Sequence, residues 1–455
     1  MAQILEFLKK TFLRPRPQSD DDLMMENHLN INFNIVVAEF LDIVESTGGE
    51  TASSLLKKCE GLSVIYYDKP FDKSFLNLES RTLFDLVDKG QSILDDSSAD
   101  VLIWGCREGD KIRLNFQTSS QYEVTNDSFV TLMDSLYFPA SFFTNASSFP
   151  TPLINLLYGA VIASINTEDK TKQIQKKYLL KKIIAKLSSD TSTKSISFEY
   201  MPYIMNFLGL IYLSYCAKSE TEQDFKIVKS LFDTALSHKD AVKNPLHLGC
   251  LHAHLGQLYS CISQSNSKRP INSYRNAIYN YQLAQKYFGK YTYPYEYGLI
   301  SYRLSSLFYN YWKQKEDLQA LRDSVFHLRE AEKIFTYALF PGLWAQIEGN
   351  LGYYLSLLSQ TTSSYEIAEL AIAAYKNQQK IITEKREPLL WAKIQESIGD
   401  IYYRLGKKSA DRVYFEEALE YFHDSLYIFE NMNFSKDSQR LTNSIAKTNQ
   451  ALSYH

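Results

Sequence analysis

Short apolar runs suited to strands come first along the chain, and long stretches with helical spacing follow. Residues 33–40 (FNIVVAEF) form a β-branched run, and Gly48-Gly49 then leads into ETASSLLKKCE, whose apolar residues recur at helical intervals. LSVIYYD over 62–68 predicts a second strand, RTLFDLVDKGQSILDD over 81–96 a second helix, and ADVLIWG over 99–105 a third strand. Strands separated by helices in this order pair in parallel. CREGDKIRLNF then closes a hairpin, with Glu108-Gly109-Asp110 as its turn and Ile112, Leu114 and Phe116 alternating on one face. Residues 31–128 therefore read as a small βαβαββ domain.

From about residue 150 the pattern changes to pairs of helices. Comparing the chain with itself at a lag of 47 residues aligns Pro294, Pro341 and Pro388, and places PGLWAQI (341–347) on PLLWAKI (388–394). Gly352 falls on Gly399, and Gly209 and Tyr212 fall on Gly256 and Tyr259. The second helix of each unit repeats as well: Ala277, Ser324, Ala371 and Ala418 align, as do Tyr281, Leu328, Tyr375 and Phe422. Small residues recur where two helices approach closely, and bulky ones recur on the same side. A helical hairpin cannot bury its apolar face alone, so these units must stack. The spacing predicts hairpins near 152–188, 200–240, 246–290, 295–338, 342–385 and 389–431. A closing helix near 436–452 exposes Lys436, Gln439, Arg440 and Lys447 and keeps Leu441, Ile445 and Leu452 for the preceding hairpin.

Two resemblances follow from these motifs. ADVLIWG ahead of a Gly-Asp hairpin resembles the small α/β domain at the amino end of TolB, which is also fused to many bacterial tetratricopeptide-repeat proteins. NLGYYLSLL…AIAAY and SIGDIYYRLG…EALEYF resemble a tetratricopeptide repeat, with Gly352 and Gly399 on helix A and Ala371 and Ala418 on helix B. The 47-residue unit with P-x-L-W-A-x-I resembles a longer variety familiar from alphaproteobacterial proteins, whose extra residues extend the helices and the bend between them. The overall expectation is an α+β chain: a small N-terminal domain followed by an all-α, tetratricopeptide-like superhelical solenoid over 150–432, with a capping helix over 433–455.

Composition fits that division. Hydrophobic residues make up 45% of the 455 and aromatics 14%, while 17 Gly and 12 Pro are few, which favours helices over turn-rich β folds. The 33 tyrosines suit half-buried helix faces and binding surfaces, and also suit an AT-biased genome. A formal net charge of -3 excludes a generally basic, nucleic-acid-binding chain. Five scattered cysteines without a CxxC pair fit free thiols in a reducing, cytoplasmic compartment. Within residues 1–30, MAQILEFLKKTFLRPRPQ carries Glu6, Lys9 and Lys10 inside its apolar stretch, so neither a membrane span nor a conventional cleavable signal peptide is expected there. As a helix, residues 1–16 would place Ile4, Leu5, Leu8 and Phe12 beside a basic face that can lie on an anionic membrane or dock on the protein itself.

The tetratricopeptide resemblance implies a ligand-facing set on the helix-A positions. Carried onto this sequence, that set includes Gln257; Tyr302, Ser306 and Asn310; Gln346 and Tyr353; and Lys393, Glu396, Asp400 and Arg404. It implies an extended peptide or a partner helix as ligand, with no cofactor. Gly48-Gly49 lacks the flanking glycines or lysine of a phosphate-binding loop and reads as a turn. His247, Cys250, His254 and Cys261 lie along one helix, but tetrahedral zinc needs four converging donors, so no metal site is assigned. No G-x-S-x-G or HExxH occurs.

A second reading starts from GKKSADRVYFEE. It is similar to the catalytic loop Gly-x4-Asp-Arg-x3-Asn of phosphatidylinositol 3- and 4-kinases, with Glu416 in place of the Asn. That resemblance implies a phosphoinositide-directed phosphotransferase using ATP and Mg2+, with Asp411, Arg412, Glu416 and the downstream Asp424 as its catalytic set. The sequence contains no glycine-rich lid and no Asp-Phe-Gly, both of which phosphoryl transfer of this kind uses to position ATP and metal.

Overall fold

A computed structural model describes residues 31–41, 48–71, 82–118, 129–143, 149–189, 200–217, 222–241, 243–265 and 270–454. The N-terminal segment at 1–30, with its membrane-facing residues 1–16, lies outside them. The chain forms two compact units, one ending at Ile300 and the other beginning at Ser301.

The first unit contains the sheet. β1 (Phe33–Glu39), α1 (Gly48–Leu56), β2 (Leu62–Pro70), α2 (Thr82–Ser97), β3 (Val101–Glu108) and β4 (Lys111–Thr118) follow the predicted order. A short fifth strand, β5 (Leu136–Pro139), completes a sheet of order β2-β1-β3-β4-β5. β1 pairs in parallel with β2 and β3, placing Val36 beside both Ile65 and Leu102. β3 and β4 run antiparallel around Gly109, whose φ of 67° supplies the left-handed residue the hairpin needs. β5 lies past residue 128 and spans four residues, too few for alternation to mark it.

Among the described residues thirteen α-helices follow. In the first unit these are α3 (Thr151–Ser164), α4 (Lys170–Ser189), α5 (Met201–Cys216), α6 (Glu222–Ser237), α7 (Pro245–Gln264) and α8 (Pro270–Tyr287). α9 (Pro294–Lys315) carries the chain into the second unit, which continues with α10 (Leu318–Glu332), α11 (Pro341–Thr362), α12 (Tyr365–Gln378), α13 (Pro388–Ser409), α14 (Arg412–Asn431) and α15 (Ser435–Leu452). They follow the small sheet along the chain and pack pairwise as an α-solenoid, an α+β arrangement. Proline opens α7, α9, α11 and α13, where its fixed φ suits the first turn and its missing N–H costs nothing. The residues ahead of two of them, Phe340 and Glu387, adopt nearly the same backbone, φ/ψ -139°/64° and -140°/68°.

The repeated small residues sit under aromatic rings. A Cβ built on Gly256 would meet the Tyr281 ring at 2.7 Å, and on Gly352 or Gly399 the rings of Tyr375 or Phe422 at 2.8 Å. Helix B leans into helix A at these places, and Ala277, Ser324, Ala371 and Ala418 are all fully buried opposite. Each buried ring stabilises its hairpin by roughly 1.5–3 kcal/mol relative to exposure.

One expectation needs correction. The extended bend that the 47-residue repeat resemblance implies would fall at 406–415, but α13 runs to Ser409 and α14 starts at Arg412. Gly406 is buried under Phe415, and Ala410 turns the chain with φ 56° while its N–H reaches Gly406 O at 2.8 Å. The extra length of the unit goes into helices of 22 and 20 residues.

In the first unit the sheet and helices share one apolar core. It runs from Phe33 and Ile35 through Phe116, Phe138, Phe143 and Phe149 to Phe207, Phe232 and Leu258. Phe116 meets Phe207 of α5 at 5.5 Å, and Phe143 meets Phe149 edge-on at 5.1 Å. In the second unit α15 covers the last hairpin with Leu441 and Ile445, leaving Lys436, Gln439, Arg440 and Lys447 outside. No described helix is long and apolar enough to cross a membrane.

Candidate functional site

The first helices of successive hairpins in the second unit are joined by side chains. Asn350 of α11 donates to the Tyr302 hydroxyl of α9 at 3.0 Å, and the Tyr309 hydroxyl donates to that of Tyr353 at 3.1 Å. Arg404 of α13 donates to Ser356 Oγ of α11 at 2.6 Å. Arg440 of α15 grips Glu396 of α13 with two bonds, 2.7 and 2.8 Å, and Asp437 with a third at 2.8 Å. These partners are 44 or 48 residues apart, close to one repeat, so each bond joins equivalent turns of neighbouring helices.

The α9–α11 end of this face is aromatic. Tyr309 stacks on Tyr354 at 4.5 Å, meets Tyr353 edge-on at 5.7 Å and lies 5.8 Å from Trp312. Tyr354 is buried, while Tyr353 keeps 44% of its surface exposed and Tyr309 and Trp312 are half-buried. The α13–α15 end is charged. Arg404 is half-buried, and its guanidinium is held below the usual range by burial, with Asp400 and Tyr375 acting the other way. Asp400 is exposed, yet partial desolvation and the Glu396 carboxylate raise its pKa against the pull of Arg404 and Arg440.

Most of the expected contact residues therefore gather on one face of the second unit. Gln346, Tyr353, Lys393 and Asp400 are open to solvent there, and Ser306, Asn310, Glu396 and Arg404 are partly so. Tyr302 is only 7% exposed and serves as the hydrogen-bond acceptor beneath them. Gln257 belongs to α7 of the first unit and is 3% exposed, so its side chain is packed rather than presented. Sequence reasoning missed Tyr309, Trp312, Ser356 and Arg440. A signal existed for three of them, because Tyr309, Ser356 and Tyr403 align at the repeat lag, and so do Gln346, Lys393 and Arg440.

The residues of the kinase-like stretch are dispersed along one helix. Asp411 is the N-cap of α14, accepting from Val413 N at 3.0 Å. Arg412 pairs with Glu416 one turn on, at 2.8 Å, on an exposed surface. Asp424 accepts from Gln395 of α13 at 2.8 Å, and its distance from Asp411 along the helix is about 20 Å. Each of these side chains has a partner that accounts for its place in the hairpin.

Two of the three histidines of α7, His247 and His254, are buried. His254 Nε2 lies 3.1 Å from Asp134 Oδ2 and Nδ1 lies 2.8 Å from Asn206 Oδ1, while Asn206 Nδ2 donates to Asp134 Oδ1 at 3.2 Å. With the amide oriented this way both ring nitrogens face oxygens, so any N–H the ring carries has an acceptor. Burial works to raise the Asp134 pKa, but His254 and the bonds from Thr131 N and Asn206 hold it below the ordinary carboxylate value. Burial lowers His247 to about 4, so that ring is neutral at pH 7, and burial pushes the Cys250 thiol up. Among the described residues no group of three or more His, Cys, Asp or Glu side chains is arranged to hold a metal ion.

No protein-family model matches the chain, and no curated protein sequence matches it at a significant level.

Proposed function

We propose that this chain is a protein-interaction scaffold of the tetratricopeptide type, and that an extended peptide or partner helix binds along the face formed by α9, α11, α13 and α15 in the second unit. One observation carries the reading. Equivalent turns of successive helices are tied together by Tyr302–Asn350, Tyr309–Tyr353, Ser356–Arg404 and Glu396–Arg440, and the groups that project past these ties remain accessible. A face held in this way offers preorganised contacts in a row, which lowers the entropic cost of binding an extended ligand. Partly exposed tyrosine and tryptophan give such a ligand apolar area and hydroxyl partners together.

Under the same reading the N-terminal sheet is a packing module of the TolB amino-terminal type. Its support is the core it shares with α3 and α5. The free cysteines fit a reducing compartment.

The test is selection of peptides from a random display library on the full-length chain, followed by titration of the winners. The double variant Tyr309→Ala/Tyr353→Ala should bind them at least tenfold more weakly at unchanged helicity, the loss expected for two aromatic contacts. Selected peptides that bind wild type and variant equally would remove the face from consideration.

A further inference from the structure

Among the described residues of this face, Asp400 is a carboxylate in no hydrogen bond or close ion pair, although the Arg404 charge lies one turn away. Ser356 of α11 and Arg404 of α13 are in direct contact. Tyr353 stands one turn before Ser356, and Asp400 one turn before Arg404, so Tyr353 and Asp400 lie on equivalent turns of neighbouring helices. They also occupy the same place in the repeat, 47 residues apart. Both are open to solvent.

The arginines nearby are already engaged. Arg440 gives two bonds to Glu396 and one to Asp437, and Arg404 gives its bond to Ser356. Among the described residues Asp400 makes no hydrogen bond or ion pair. Its neighbours include the Glu396 carboxylate and the Tyr375 hydroxyl, whose own pKa burial raises and the Asp400 charge raises further. With Asp437 included, three carboxylates stand against two guanidiniums here, so an added cation would balance the charge and an added anion would aggravate the excess. A flat ring with 44% of its surface exposed, on the turn equivalent to that of an open carboxylate, matches a side chain that carries positive charge at the end of an apolar stem.

We infer that Asp400 and the Tyr353 ring together receive a lysine or arginine side chain of the bound peptide, so that the partner of this face is a basic segment. The inference rests on the binding face proposed above and adds the sign of the ligand. The cation would pair with Asp400 while its stem or guanidinium plane lies on the Tyr353 ring. Glu396 would stay with Arg440. Because Asp400 is exposed, the contribution is screened by salt and shows most clearly at low ionic strength.

The experiment uses the full-length chain and four pools of random dodecapeptides whose central residue is fixed as arginine, lysine, glutamate or norleucine. Binding is read by fluorescence polarisation at low salt. The arginine and lysine pools should bind several-fold more tightly than the other two, and the difference between them reports whether stacking or the point charge dominates. Asp400→Asn should abolish the preference, and Asp400→Lys should transfer it to the glutamate pool. Equal binding of all four pools would overturn the basic-partner inference and leave the binding face standing. Tightest binding of the glutamate pool would overturn it in favour of an acidic partner, and a basic preference that survives Asp400→Asn would overturn the assignment to this residue. Failure of every pool to bind would overturn the face itself.

Discussion

Glu348 of α11 accepts a hydrogen bond from Asn377 of α12 at 3.2 Å, and one repeat further on the chemistry is exchanged, with Gln395 donating to Asp424 at 2.8 Å. Both pairs are 29 residues apart and tie helix A to helix B at the same level. The exchange is not symmetrical in its surroundings. Asp424 is exposed at the outer surface, whereas Glu348 is 0% exposed and lies against a second acid, Glu332 of α10. Burial, then the hydrogen bond with Glu332 and its charge, push Glu348 up to about 7, opposed by Asn377 and by Arg329.

An acid whose pKa is raised on folding holds its proton more tightly in the native state. Its effect on stability is absent below the unfolded value near 4.5, becomes unfavourable as pH rises toward 7, and is constant above. Acidification from pH 8 to 5 should therefore stabilise the second unit through this group, by ~3 kcal/mol at most. Glu348→Gln should raise the denaturation midpoint at pH 8 and flatten that part of the pH profile. An unchanged profile in the variant would show that the two acids do not share a proton.

The first unit should respond with the opposite sign. Asp134 is held below its ordinary pKa, so the stability it contributes is present at neutral pH and lost as pH falls through its folded value. His254→Leu would leave that carboxylate buried without its ring partner and should cost about 3–5 kcal/mol in urea unfolding at pH 7. Asp134→Asn keeps the shape and should cost less. If His254→Leu is as stable as wild type, the contact between the 131–134 turn and α7 is not an ionic one.

Close approach at the repeated glycines can be measured directly. Gly399→Ala would drive a methyl group to 2.8 Å from the Phe422 ring and should destabilise by about 1–3 kcal/mol. Gly342→Ala, in the first turn of α11 with nothing within 4 Å, should be neutral or slightly stabilising. Similar midpoints for the two variants would mean that α13 and α14 can separate freely.

The hairpins and the succession of strands and helices in the first domain were legible because their causes are local and periodic. A proline at the same register, a small residue under a ring and alternation in 112–116 each leave a mark in the sequence. The length of the α13–α14 bend was harder to read. Gly, Lys, Lys and Ser suggest a loop, but Gly406 is there to admit Phe415 and the helix simply continues. β5 is four residues long and is held in the sheet by pairing with β4, a tertiary cause without a local signature. At the candidate site the repeat register selected exposed Gln346, Tyr353, Lys393 and Asp400 correctly as surface positions, because facing follows from helix phase. It mistook Tyr302 and Gln257 for presented groups, because how deeply a position sinks depends on the size of its neighbours. His254, Ser301, Glu348 and Gln395 are each buried polar residues at the same place in the repeat, a pattern visible in the sequence once burial is suspected.

The sheet covers the apolar helices α3 and α5 in the first unit, and α15 covers the last hairpin with one apolar side and turns the other to water. A new hairpin placed beyond α15 would find lysine, glutamine and asparagine where it needs a greasy surface. One placed before α3 would have to displace the strands. Duplication inside the array meets neither obstacle, since a copied 47-residue unit brings the matching surfaces for both of its neighbours. The series can therefore lengthen from within more readily than at either edge.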